Sequence, residues 1–388
     1  MLISGKVIMT TKKKIKILAV FSLIEHANEF YWYAKFLNKD MFHLVCIFLN
    51  PTITPIQNEI ASLGIPCYNI FYCGKKNLVS AFFNLTKLIN KIKPDIIHPQ
   101  LFDASFITLT AAWLLGFKNR LHTRHHSDIH HKYHQQAVKY DKWINWLSKK
   151  IICPSEQTKN ILINKESVNE KKIIVIRHGF DFKDFMYSEQ TKINLIQKYN
   201  IEGFPIIGIV SRFTEWKGIQ YTLKSFEKIL TTYPNALLLL IGAKGDYENT
   251  IKSILQKIPH QNYRIIEFEK DIYALYSTFD IFIHVPISPE SETFGQIYVE
   301  AFAMGVPSII TLSGIAAEME LFKNNSFVVP YQNHEAIYQS LISIIPNLSK
   351  HKEAMLETSI ETQNIFSFAN KITSLESLYL SLYNEQNN

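Results

Sequence analysis

Residues 236–241 read Ala-Leu-Leu-Leu-Leu-Ile, six apolar residues in a row, and such a run admits few architectures. A strand with one wet face alternates polar and apolar positions. A strand with no polar position has to be covered on both faces, as in a parallel sheet with helices on either side. The pattern recurs along the chain. Short strand-like segments fall at 15–21 (apolar but for Lys16), 45–48, 65–70, 95–98, 121–124, 151–154 and 173–176. They resume at 206–210, 236–241, 265–268, 280–286, 308–311 and 327–329. Helix-spaced segments lie between them at 29–37, 78–92, 106–115, 142–148, from Ser155 onward, and at 219–229, 251–257 and 272–276. Strands alternating with helices at this spacing predict an α/β fold with a doubly wound parallel sheet. The restart after 179–203 predicts two such Rossmann-like domains facing a cleft, with the linker in that stretch. The expected boundaries are 1–185 and 186–365. An amphipathic final helix at 366–388, with Leu375, Leu378, Leu380 and Leu382 available for packing, completes the chain.

The length of 388 residues fits two to three domains, each able to bury its own core. No apolar run approaches the ~18 residues of a spanning helix. Lys12 to Lys16 followed by ILAVFSLI has the superficial form of an export signal, but the run is short and no small-residue cleavage site follows. A first strand is the better reading, with Met9 as a candidate start. Four cysteines, Cys46, Cys67, Cys73 and Cys153, show no metal-ligand spacing, and reduced thiols in the cytoplasm are expected. Charge is uneven. Residues 1–180 hold 25 Lys+Arg against 11 Asp+Glu, while the rest holds 16 against 23. A basic first half suits an anionic partner, a bilayer surface at the inner face of the membrane or a phosphorylated acceptor. Nucleic acid is not expected, since no helix-turn-helix, finger or aromatic RNA-binding signature accompanies the charge.

One stretch concentrates chemistry. Residues 280–286 have strand alternation, 287–294 form a polar loop, and 295–304 carry helix spacing with Ile297, Phe302 and Met304 on one side. Gly305 and Pro307 end it. A loop feeding a helix N-terminus above the carboxyl end of a strand is an anion site, because the first N–H groups and the dipole face the ligand. Glu292 in the loop and Glu300 on the helix flank it. The plain alternative is a surface loop with two solvated glutamates. Behind strand 206–210 comes SRFTEWKG, which places Arg212 and Lys217 on a strand-to-helix loop. A departing diphosphate accumulates negative charge that such cations would stabilise.

The run Glu292-Thr-Phe294-Gly295-Gln296, then Glu300-Ala, then Gly305-Val-Pro resembles the E-x7-E signature of retaining glycosyltransferases of family four, which have the GT-B fold. The resemblance implies a final helix, 366–388, that crosses back to pack on the first domain, and a nucleotide-diphosphate sugar, UDP- or GDP-linked, as donor substrate, with no further cofactor and no obligatory metal. It implies that Glu300 holds the ribose and that Arg212 and Lys217 hold the diphosphate. Glu292 and the backbone of Phe294, Gly295 and Gln296 would then position the sugar. His125, in HTRHHSD, would line the reacting face, with His126 as its rival. The acceptor implied is a glycan or lipid-linked hydroxyl in envelope polysaccharide or glycoconjugate synthesis. His178-Gly179-Phe180-Asp181 matches the family's Asn-Gly-Val-Asp turn, and SGIAAE at 313–318 loosely matches its Gly-Gly-x-x-Glu loop. The family's Gly-Gly pair after the first strand is missing: the segment reads SLIEHANEF, so Glu25, His26 and Asn28 are candidates for the acceptor side.

Six histidines fall between His122 and His134. His126, His130 and His134 are spaced four apart, so a helix would align them for a transition metal. No Cys or acidic set completes them in sequence, so no metal is expected; an acceptor phosphate on a basic patch is preferred, and a solvated face remains open. Two other functions stay open at this stage. A sugar-nucleotide epimerase on the same fold would need acid–base residues across the sugar. A catalytically idle nucleotide-sugar-binding protein would keep binding without transfer.

Overall fold

The computed structural model describes residues 13–387. The readings made on Met9 and Lys12 lie outside the described residues. The chain divides into two compact units. One comprises the described residues up to Thr123, Lys142–Ile151 and the chain from Ile372; the other comprises Arg124–Asp141 and Ile152–Lys371.

The first unit is built on β1 (Ile15–Ser22), β2 (Phe42–Asn50), β3 (Cys67–Phe71) and β4 (Ile96–Pro99), in the order β3-β2-β1-β4. All three pairings are parallel, and β1 runs beside β2 from Ile15↔Phe42 to Ser22↔Leu49. β5 (Leu121–Thr123) extends this order beside β4 through Ile97↔Arg120 and Gln100↔Thr123. The apolar character of β1 and β2 is used on both faces. Leu18, Val20, Val45 and Ile47 pack on Ala81, Leu85 and Ile89 of helix Leu78–Ile92 and on Ala104, Ile107 and Ala111 of helix Phe102–Leu114. On the opposite face Phe21 stacks on Phe48, with ring centroids 5.1 Å apart. Helix Phe368–Asn387 supplies Tyr379, which is fully buried. Its hydroxyl lies 2.6 Å from His98 Nδ1 and 3.0 Å from the Tyr33 hydroxyl, so three buried polar groups satisfy one another.

Two short strands follow, β6 (Lys150–Cys153) and β7 (Ile173–Val175). The second unit's sheet then consists of β8 (Ile206–Val210), β9 (Leu237–Ile241), β10 (Tyr263–Ile266), β11 (Ile281–His284), β12 (Ser308–Ile310) and β13 (Phe327–Val328). Its order is β10-β9-β8-β11-β12-β13, parallel throughout. The apolar run that opens the sequence argument is β9, and every residue in it is buried. Leu238 and Leu240 join Leu223 and Phe226 of helix Ile219–Ile229 and Ile337 and Leu341 of helix His334–Ile344 in one core.

Among the helices that went unread in the sequence are Pro55–Ser62, Glu189–Tyr199, His334–Ile344 and Leu348–Ile365. Glu189–Tyr199 falls inside the stretch expected to be linker. Its signals are local ones. Ser188 accepts a hydrogen bond from the Thr191 N–H as N-cap, and Asn200 closes the helix in the left-handed region at φ 48°. Among the described residues no helix is long and apolar enough to cross a membrane.

Candidate active site

In an open parallel sheet the order reverses at one place, and the loops at the carboxyl ends of the strands diverge there to leave a crevice. In the second unit that place lies between β8 and β11. The loop after β8 carries Arg212 and Lys217, and the loop after β11 carries Glu292. Both loops depend on close backbone approach. Gly218 sits at φ +73°, where a Cβ would lie 1.9 Å from the Val285 carbonyl oxygen. At Gly314, φ +57°, a Cβ would meet the Phe294 carbonyl at 2.5 Å and the Glu292 Cβ at 2.9 Å. Glycine at these positions lets the β8 and β11 loops, and the loop after β12, pack together.

Lys217 Nζ donates to Glu292 Oε1 at 2.6 Å, although the two are 75 residues apart in sequence. His284 Nε2, from the last residue of β11, lies 2.8 Å from the same oxygen. The Glu292 N–H donates to Ser313 Oγ at 3.0 Å, and Ser313 donates to the Pro289 carbonyl. Burial disfavours the ionised form of Glu292, but Lys217 and the His284 hydrogen bond outweigh it and hold the carboxyl down at about 2. Burial also lowers the pKa of His284, with Glu292 partly opposing. The site therefore holds a carboxylate and an ammonium beside a buried imidazole. Arg212 is exposed on its loop, near the pair in sequence but outside it.

Helix Gln296–Ala303 starts at Gly295, directly after Phe294, whose carbonyl accepts from the Ile315 N–H at 2.8 Å. Its first N–H groups have no intrahelical acceptor, as in every helix. Glu300, one turn in, is half-buried and accepts a hydrogen bond from the Tyr276 hydroxyl at 3.0 Å. Desolvation raises its carboxyl to about 7, partly offset by that bond. The two glutamates differ in the way their environments dictate. Glu292 is paired and ionised, whereas Glu300 is held near neutrality by burial.

His125 belongs to the same unit. Its carbonyl accepts from Thr293 Oγ1 at 3.4 Å, and its ring lies 6.2 Å from that of His178, which in turn stands edge-on to Phe294 at 4.9 Å. The Thr293 carbonyl is held by the Ser155 and Thr158 hydroxyls. His125 and His178 thus border the loop that carries Glu292. Glu318 of SGIAAE accepts from the Gln157 N–H at 2.8 Å and stands 3.9 Å from Arg177. Sequence reasoning passed over His284 and Tyr276, and took Ser313 only as the start of the SGIAAE segment. Of these, only His284 left a signal, as the single polar residue in an otherwise apolar strand at its carboxyl end.

The histidine cluster differs from its sequence reading. The helix covers only Ile129–Tyr133, so His126 and His134 lie outside it. His126 Nε2 and His130 Nδ1 nonetheless converge on the fully buried Asp141, at 3.0 and 2.7 Å. Asp141 is the acidic partner that the sequence spacing did not supply. These three bring ligand atoms within 4.8 Å of one another, as a metal would require. Arg124 occupies the same carboxylate at 2.8 Å and Glu166 at 2.6 Å. Asp128 accepts from Lys132 and Lys165. Three carboxylates, Asp141, Glu166 and Asp128, therefore pair with cations of this cluster. Burial and the nearby guanidinium keep the His126 imidazole far below its usual pKa.

The profile "Glycosyl transferases group 1" matches residues 191–362, and "Glycosyltransferase Family 4" matches residues 40–184. A capsular polysaccharide biosynthesis glycosyltransferase, CapM of Staphylococcus aureus, is 25% identical over 316 residues, 79% of this chain and 82% of that protein. The UDP-Gal:alpha-D-GlcNAc-diphosphoundecaprenol alpha-1,3-galactosyltransferase of Escherichia coli is 22% identical over 362 residues, 88% and 89% of the two chains. The crystal structure of Anabaena HepE in complex with UDP-glucose superimposes with a TM-score of 0.80 at 16% identity, covering 95% of this chain and 100% of that one. The two profiles together span most of the chain, and the fold is shared along its length. With the strand order and the glutamate-bearing loop and helix described above, they establish that this chain is a glycosyltransferase of family 4 with the GT-B fold.

Proposed function

We propose that the protein transfers a sugar, with retention, from a UDP-sugar to a hydroxyl of a glycan or lipid-linked acceptor in envelope polysaccharide or glycoconjugate synthesis. The observation that carries this is the Lys217–Glu292–His284 constellation at the sheet's switch point, with Glu300 on the adjoining helix. The HepE complex with UDP-glucose and the UDP-galactose named for the E. coli relative support the choice of base. In this reading Glu300 accepts from the ribose hydroxyls, and Arg212 and Lys217 hold the diphosphate. Glu292 and the backbone at Phe294, Gly295 and Gln296 hold the sugar, while His125 borders the reacting face. Lys217 already pairs with Glu292, so an arriving diphosphate shares the ammonium rather than recruiting a distant one.

In the transfer step the bond from the sugar's anomeric carbon to the diphosphate oxygen breaks. A bond to the acceptor oxygen forms on the same face, and the acceptor proton passes to the leaving phosphate. No protein nucleophile is needed. The cations stabilise the charge that develops on the leaving group. A cytoplasmic location at the inner membrane face fits both the donor class and the basic character of residues 1–180.

A thermal-shift panel of UDP-, GDP- and ADP-sugars tests the donor, since a ligand bound to the folded state raises its apparent stability. UDP-sugars should raise Tm and the others should not. Glu300→Ala should mainly weaken nucleotide binding, and Glu292→Ala should mainly lower kcat, by roughly 100-fold if it organises the transition state. Identical, unchanged kinetics in both variants would remove the assigned roles.

A further inference from the structure

One chamber of the second unit lies beside the loops that carry Lys217 and Glu292. A cavity of about 140 Å³ opens between the segment 128–133 and the loops after β8 and β11. Tyr133 and Trp216 line it with their rings 5.4 Å apart at 40°, and Tyr133 is 43% exposed. Polar groups complete the wall: Lys132, Ser288, Ser291 and Gln332. These groups are held in place by one another. Lys132 donates to Ser288 Oγ at 3.1 Å and pairs with Asp128 at 3.0 Å, the Ser288 and Ser291 hydroxyls are 3.0 Å apart, and Gln332 accepts from the Tyr221 hydroxyl at 3.0 Å. Neither the Trp216 indole N–H nor the Tyr133 hydroxyl has a hydrogen-bond partner among the described residues. Burial, with Glu215, Asp128 and Asp246 nearby, raises the Tyr133 pKa, so its hydroxyl stays a donor.

Aromatic rings beside hydroxyl, amide and ammonium groups match a pyranose. The apolar C–H face of such a ring packs on an aromatic surface, while its hydroxyls need donors and acceptors around the edge. The position is informative as well. Trp216 immediately precedes Lys217, and Ser291 immediately precedes Glu292. A sugar in the chamber is therefore one residue along each loop from the pair assigned to the donor. We infer that this chamber is a subsite for a pyranose ring of the acceptor glycan, seated on Tyr133 and Trp216; the inference rests on the transfer reading above.

Saturation-transfer NMR on the full chain with methyl α-glucopyranoside, α-galactopyranoside and α-mannopyranoside tests it. At least one should receive saturation from the wild type. Binding should weaken about tenfold in Tyr133→Ala and in Trp216→Ala and recover in Trp216→Phe, given the worth of an aromatic contact. Adding UDP-glucose distinguishes the two sources of a sugar. A pyranoside signal that persists beside UDP-glucose supports an acceptor subsite, and one that UDP-glucose displaces assigns the chamber to the donor's sugar and overturns it. No transfer to the wild type, or equal transfer to all variants, overturns it too. If the pyranosides bind as expected but no UDP-sugar raises Tm, the chamber stands as a sugar site and the donor reading alone fails.

Discussion

Glu292 and Glu300 are eight residues apart and chemically alike, yet their surroundings drive them in opposite directions. Glu292 is held down at about 2 against its own burial by Lys217 and His284, so it stays ionised throughout the working range. Glu300 is raised to about 7 by desolvation. The sign of the linkage follows. A carboxyl raised above its unfolded value stabilises the fold at low pH, and that contribution is lost as pH climbs from the unfolded value through about 7. In the proposed role, ribose hydroxyls donate more strongly to the ionised form, so UDP affinity should increase as pH rises through 7, apart from the phosphate's own titration. Glu300→Gln should flatten that rise. Isothermal calorimetry with UDP at pH 6, 7 and 8 measures the difference, and parallel pH curves for both proteins would contradict it. Lys217 and Glu292, which the structure pairs, stood out in the sequence because each lies on a loop behind an apolar strand. Their pairing did not. Lys217 meets Glu292 across 75 residues, and Arg124 meets Glu166 across 42, contacts that only the sheet order creates.

Elements show the same division. Strands buried on both faces, such as β8 and β9, declared themselves by composition, and helix Ile219–Ile229 by its period. Helix Leu348–Ile365 did not, because only Leu348, Met355, Thr358 and Thr362 of its 18 residues are buried. Its apolar signal is diluted by an otherwise wet surface. Helix Glu156–Asn164 joins an element to the site. Ser155 caps it by accepting from the Thr158 N–H at 3.2 Å and also donates to the Thr293 carbonyl, next to Glu292. Ser155→Ala should cost about 1 kcal/mol as a lost cap. It should also lower kcat, because the loop loses a tether. Urea unfolding and steady-state rates measured on the same sample test both effects, and a stability loss with unchanged turnover would show that the tether is dispensable.

Across the molecule, the first unit is drawn from three separated pieces of chain, closed by the segment from Ile372. Tyr379 is where that closure is chemically specific, since its hydroxyl joins His98 to Tyr33 in a region without water access. Tyr379→Phe leaves the ring's packing against Phe42 but removes the hydroxyl that His98 Nδ1 and the Tyr33 hydroxyl contact. It should destabilise the protein by roughly 1–3 kcal/mol, the cost of unpaired buried polar atoms. A lowered urea midpoint at constant slope is the expected result. The sequence showed an amphipathic tail but not this hydroxyl's two partners.

During synthesis that arrangement imposes a delay. The ribosome makes β1 to β5 before the strip that covers them, which follows only after more than 200 further residues. At roughly 5–20 residues per second the nascent sheet waits on the order of ten seconds or more with one side unsealed. Throughout that interval the apolar face which the strip later seals is open to association, so the nascent chain's exposure ends only when the segment from Ile372 arrives.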